Sequence, residues 1–203
     1  MLKPPAPLFL ALMALVAAAL WTSCEFDDQS EEGLDKYFLR DVAAVQAMGL
    51  QVYWLGTEFT VDGQVFRGPY GFEYGPEVEG AGIEMTYMAL LPDGGGVPLD
   101  LFVYSSDLWE SVKERTMNPG LPGVTRRVVS VGDRDGELIL QAAGARPLNA
   151  IWLVLDLDDV VVVAQTNSVV GGATPSAGSD LNPIINNPDL LVQVMEGLWP
   201  YPQ

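Results

Sequence analysis

Residues 150–165, AIWLVLDLDDVVVVAQ, constrain the fold more than any other stretch. Two continuous apolar runs, rich in β-branched residues, flank a short acidic turn. A strand with no polar face has no side to turn toward water, so AIWLVL and VVVVA read as central strands covered on both faces. The connection is too short for a crossover, which leaves antiparallel pairing. The chain must therefore build a sheet with material packed on both sides.

The rest of the sequence supplies that material. Val124–Val131, Glu137–Ala142, Ala150–Leu155 and Val160–Gln165 read as four strands, with DRDG (133–136) and DLDD (156–159) as turns. Upstream, GIEMTYMALL (82–91) and VPLDLFVY (97–104) form a hairpin across DGGG. QVYWLG (51–56) reads as a strand, and the glycine-rich residues 60–75 as a hairpin or edge strand. Leu34, Tyr37, Phe38, Val42, Val45 and Met48 fall at helical spacing and Gly49 ends that helix. Ser106-Asp107 caps a second helix, and Asn187 with Pro188 opens a third that runs to Leu198. Trp109, Trp152 and Trp199 sit in apolar patterns and read as core. The expected class is α+β, a mostly antiparallel sheet with about three helices packed on it. The domain is expected over residues 34–203, with MNPGLPG (117–123) as a sub-boundary. Strands followed by a helix occur twice, at 60–115 and 124–198, the pattern of an internal duplication, although no sequence match accompanies it.

Composition removes whole classes of chemistry. The chain has no histidine and one cysteine, Cys24. Ser-His-Asp and Cys-His nucleophilic sites are excluded, as are cysteine metal clusters and an internal disulfide. After Cys24, nine basic residues face 27 acidic ones, a net charge of −18. That charge repels phosphate backbones, and Arg126-Arg127 is only a pair, so nucleic acid is not an expected partner.

The amino-terminal segment differs from everything that follows. Lys3 precedes Pro4 to Ser23, twenty residues without a charge. A positive start, an apolar middle and small late residues make an export signal. Thr22-Ser23-Cys24 resembles the end of the lipobox of bacterial lipoproteins, with Trp21 standing where Leu is usual. The resemblance implies removal of residues 1–23 and acylation of Cys24 with diacylglyceryl and palmitate-type chains. At least two chains give stable attachment to a bilayer, where one gives marginal binding. Plain secretion with cleavage near Ala17-Ala18-Ala19 and an uncleaved anchor are the alternatives. Residues 24–33 would be a tether, since EFDDQSEE (25–32) carries five acids in eight residues. The helix leading into YWLG is similar to uncharacterised bacterial envelope lipoproteins, a likeness that implies no activity. The expected location is the extracytoplasmic side of a membrane.

Two groups of residues are candidate sites. In GPYGFEYGPE (68–77), Tyr70, Phe72 and Tyr74 share one face of an extended segment, with Glu73 on the other. Aromatic faces beside a carboxylate can bind sugars, peptides or cations, and equally can cover a core. In the acidic turns, Asp133, Asp135, Asp156, Asp158 and Asp159 supply the hard oxygens calcium prefers, but without the closing Glu of a calcium loop. Asp-Gly also suits hairpin turns for backbone reasons alone. No catalytic residue stands out. The expectation is a lipid-anchored binding or scaffolding domain, and the alternative is a carboxylate-dependent hydrolase, with or without calcium, acting on envelope polysaccharide or peptide.

Overall fold

The computed structural model describes residues 34–71, 82–92, 94–117, 123–142, 148–157, 159–167 and 182–202. Residues from Leu34 to Gln203 form one compact unit. Cys24, Phe72, Glu73, Tyr74 and Asp158 lie outside the described residues.

Among the described residues, eight strands form one antiparallel sheet. They are β2 (Glu58–Val61), β3 (Gln64–Tyr70), β4 (Gly82–Leu90), β5 (Gly96–Ser105), β6 (Val124–Val131), β7 (Arg134–Ala142), β8 (Leu148–Leu157) and β9 (Val160–Asn167). Their spatial order is β2-β3-β4-β5-β9-β8-β7-β6. Each half is a four-stranded meander, and the halves join where β5 pairs with β9, Asp100 opposite Gln165 through Ser105 opposite Val160. The runs read as central strands are central: the first five residues of β9 are buried. A separate two-stranded ladder pairs β1 (Tyr53–Trp54) with β10 (Trp199–Pro200).

Among the described residues four helices accompany the sheet: α1 (Lys36–Ala47), α2 (Ser106–Met117), α3 (Pro183–Asn186) and α4 (Pro188–Glu196). The expected class, α+β with a mostly antiparallel sheet, describes the molecule. The helices, however, do not share a face. Alternate residues of β4, β5, β8 and β9, such as Met85, Leu99, Leu153 and Val162, pack with Phe38 and Val42 of α1, Ile184 and Ile185 of α3, and Leu191 and Val194 of α4. The intervening residues Tyr104, Ile139, Trp152, Val161 and Val163 pack with Trp109 and Val112 of α2 on the other face. We call these the inner and outer faces.

The inner face is concave. A flat eight-stranded sheet would span roughly 34 Å between its edge strands. Yet α4, nine residues and so about 13 Å long, approaches both edge strands, β2 and β6. The sheet must curl around it. The Arg127 guanidinium on β6, paired with Asp189 of α4, ties one edge to that helix.

The strands-then-helix pattern does recur, but the halves are not equivalent. A two-fold axis through the β5–β9 junction would map the strand order of one meander onto the other and place both following helices on one face. Instead α2 lies on the outer face and α4 on the inner. The difference begins in the connections: α2 starts directly after β5, whereas fifteen residues separate β9 from α3.

Local chemistry explains the element ends. Asp35 caps α1, its Oδ1 accepting from the Tyr37 and Phe38 amides at 2.9 and 3.0 Å, and also from Gly71 N–H at 3.1 Å, which locks the end of β3 to the helix start. A Cβ on Gly71 would lie 2.2 Å from the Phe38 nitrogen, so the contact requires glycine. Asp62 and Gly63, both with positive φ, make the β2–β3 hairpin turn.

Several expectations are corrected. The cap of α2 is Ser105, whose Oγ accepts from Leu108 N–H at 3.2 Å, one residue before the expected pair. Asn187 makes no side-chain cap. A side-chain cap occurs instead at the preceding helix, α3, where Asn182 accepts from the Ile184 and Ile185 amides and donates to Thr166 Oγ1, fixing α3 against β9. Trp199 is 46% exposed and not core; it packs over Trp54 at 5.2 Å between ring centroids. QVYWLG supplies only two strand residues, because its partner is the short segment at Trp199–Pro200.

The buried Tyr87 hydroxyl accepts from Leu55 N–H at 2.9 Å, and burial pushes the phenol far above its usual range. Tyr87→Phe strands that amide in the core and is expected to cost about 1–3 kcal/mol. The check is urea unfolding: the midpoint should fall with an unchanged slope.

Candidate functional site

On the outer face, side-chain polarity changes along the strands. From one end of β8 to the other, the outward residues are Ala150, Trp152, Val154 and Asp156; the outward residues of β7, running the opposite way, are Gln141, Ile139, Glu137 and Asp135. The apolar stretch lies under α2. Beyond it the sheet carries charge, and there an open groove of about 460 Å³ runs between α2 and the β6–β7 hairpin. Ser106, Trp109 and Glu110 form one wall, Arg126 and Val128 the other, and Val154 and Val161 the floor. Asp135 and Asp156 close one end.

The acidic turns are not where the sequence suggests. The β6–β7 turn is Gly132-Asp133, starting one residue before the expected span and ending at its first residue, so Asp135 and Gly136 belong to β7. Asp156 likewise belongs to β8. A turn residue points away from the sheet edge, whereas a strand residue points to a face, and both aspartates therefore enter the groove. The register that sets Gly136 opposite Leu155 makes Asp135 and Asp156 the next opposed pair. Opposed residues of an antiparallel pair hold their Cβ atoms about 4.5–5.5 Å apart, and like charges there repel.

The other charges of the groove are matched. Arg126 Nη1 donates to Glu137 Oε1 at 3.1 Å, and Lys113 Nζ holds Glu110 Oε2 at 2.5 Å. Among the described residues no cation pairs with Asp135 or Asp156. Asp133 faces Arg134 at 4.0 Å with its side chain almost fully exposed, and Asp159 lies in the β8–β9 turn. Two of the candidate calcium residues thus converge, fewer than the six to eight oxygens calcium takes. Among the described residues, no group of three or more metal-ligating side chains gathers.

Of the aromatic candidates, Tyr70 ends β3 and is 44% exposed. Phe72, Tyr74 and Glu73 fall outside the described residues. Trp109, Arg126, Val128, Val154 and Val161 were not legible as site residues. The strand positions alternate correctly in the sequence, but nothing local says that α2 will fold back over this half of the sheet.

A half-buried polar pair lies elsewhere on the outer face. Asp100 of β5 accepts from Thr86 Oγ1 at 2.8 Å, and burial raises its carboxyl above the ordinary value despite that hydrogen bond. The folded state then holds this proton more tightly than the unfolded chain. Stability is lost as pH rises from the ordinary Asp value through the raised one, and the deficit persists above it. Asp100→Asn removes the ionisation, so it should unfold at a higher urea concentration than the parent at pH 7 and lose most of that advantage near pH 4. An equal difference at both pH values would contradict this assignment.

No helix among the described residues is long and apolar enough to cross a membrane. No protein-family model matches the chain, nor does any curated protein or solved structure.

Proposed function

We propose that the protein is a lipid-anchored component of a bacterial cell envelope whose domain binds a partner and transforms no substrate. The observation that carries the anchor is positional. The compact unit begins at Leu34, ten residues after the single cysteine, and Cys24 itself follows an uncharged run of twenty residues. Ten residues reach at most about 33–36 Å, which keeps the domain near the bilayer while letting it turn. The acidic stretch after Cys24 supports a solvated tether.

The groove supports binding over catalysis. It is open, and its carboxylates Asp135 and Asp156, which pair with no cation among the described residues, are exposed. Carboxylate hydrolysis needs two carboxyl groups at a defined separation, one of them kept protonated by a dry surrounding. The opposed Asp135 and Asp156 are what a hydrolase reading draws on, and the exposed setting of both counts against it. Asp100, the carboxyl that burial does raise, lies outside the groove.

The anchor is tested with Cys24→Ala in cells fed radioactive palmitate. Label should enter the parent protein and not the variant, and the variant should leave the membrane fraction. Label retained on the variant would sink the proposal.

A further inference from the structure

We infer that the groove docks a basic segment of a partner protein in extended conformation, with a Lys or Arg seated between Asp135 and Asp156 and an apolar side chain on Val154 and Val161. This rests on the binding reading above and is independent of the lipid anchor.

Charge selects the occupant. Arg126 is matched by Glu137, Glu110 by Lys113, and Arg127 is engaged with Asp189 of α4. Among the described residues, what remains at the groove is the pair of negative charges on Asp135 and Asp156, set opposite one another by the β7–β8 register. Alone, the pair is mutually repulsive; a cation between the two adds two shorter attractions that outweigh the repulsion. A second copy of this chain brings the same acidic surface, and anionic lipid or nucleic acid brings negative charge, so each is repelled.

Shape selects an extended segment over a compact ligand. Small-molecule sites enclose most of their ligand, whereas this groove is open along its length. Its apolar and acidic elements alternate with strand spacing, since Val154 and Asp156 are two residues apart on one face of β8, about 6.7 Å. An extended partner with a basic residue at one position and an apolar residue two further on matches that repeat. Val128, 76% exposed on edge strand β6, adds apolar surface at the rim.

The test uses two blocked synthetic peptides, one repeating Lys-Ser-Val-Ser and one repeating Glu-Ser-Val-Ser, titrated calorimetrically into the full-length protein in non-ionic detergent at low salt. The first should bind and the second should not. The Asp135→Asn/Asp156→Asn double variant should weaken the Lys peptide roughly fivefold to tenfold, the scale expected for losing two partly screened charge contacts. Asp62→Asn/Glu196→Gln, which removes two exposed charges away from the groove, should leave affinity unchanged. No binding of the Lys peptide, equal binding of the Glu peptide, or an equal loss in the control variant would each overturn the inference. None of these results bears on palmitate labelling at Cys24, so failure here and failure of the anchor are distinguishable.

Discussion

The pairing of β5 with β9 is the interaction on which the rest of the architecture depends. Six consecutive residue pairs, from Asp100 with Gln165 to Ser105 with Val160, turn two four-stranded meanders into one eight-stranded sheet. Without that ladder each meander would present an exposed edge along its most apolar strand, a liability for pairing with other chains. With it, Val160–Ala164 lie at the centre, dry on both faces. Only a strand so placed can tolerate five consecutive apolar residues.

A wide sheet joined at its centre is free to curl, and the curl decides what each face can do. The concave side encloses α1, α3 and α4, and its core is continuous from Phe38 to Val194. The outer side has only α2 among the described helices, twelve residues long, which covers the part around Tyr104, Trp152 and Val163. The sheet is wider than the helix. Where cover ends, the strands switch from apolar to charged outward residues, and the groove is the strip at that border. Its acidity follows from packing economy: α2 shields no more of β7 and β8, so Asp135 and Asp156 remain in water.

Much of the fold was legible because its signals are local. Helical spacing from Leu34 to Met48 with Gly49 behind it located α1, and the four strands after Val124 follow from alternation and apolar runs. Errors arose where a tertiary partner outweighed the local signal. Asn187 sits before Pro188 in good capping context, yet its side chain makes no cap bond to α4; Asn182 caps the preceding α3, where Thr166 and the Asn167 carbonyl hold its side chain in place. Trp199 has apolar neighbours in sequence, the pattern of a core residue, but its strand pairs at the surface with Trp54. DRDG looked like the turn because Asp-Gly is a good turn dipeptide. Gly132-Asp133 took the place, because the β6–β7 register from Val124–Gln141 to Val131–Arg134 leaves only those two residues between the strands.

By itself the sequence determined the chemistry that is impossible here, the antiparallel β-rich class, and the position of Cys24 between an apolar run and an acidic stretch. Those are properties of composition and of short-range order, which the chain carries before it folds. Tertiary structure decided which face each helix covers and which two of the many aspartates meet. The reason is that a face is set by register, and register is a relation between strands distant in sequence. A shift of one residue would turn Asp135 to the opposite face from Asp156 and leave the groove without its acidic pair.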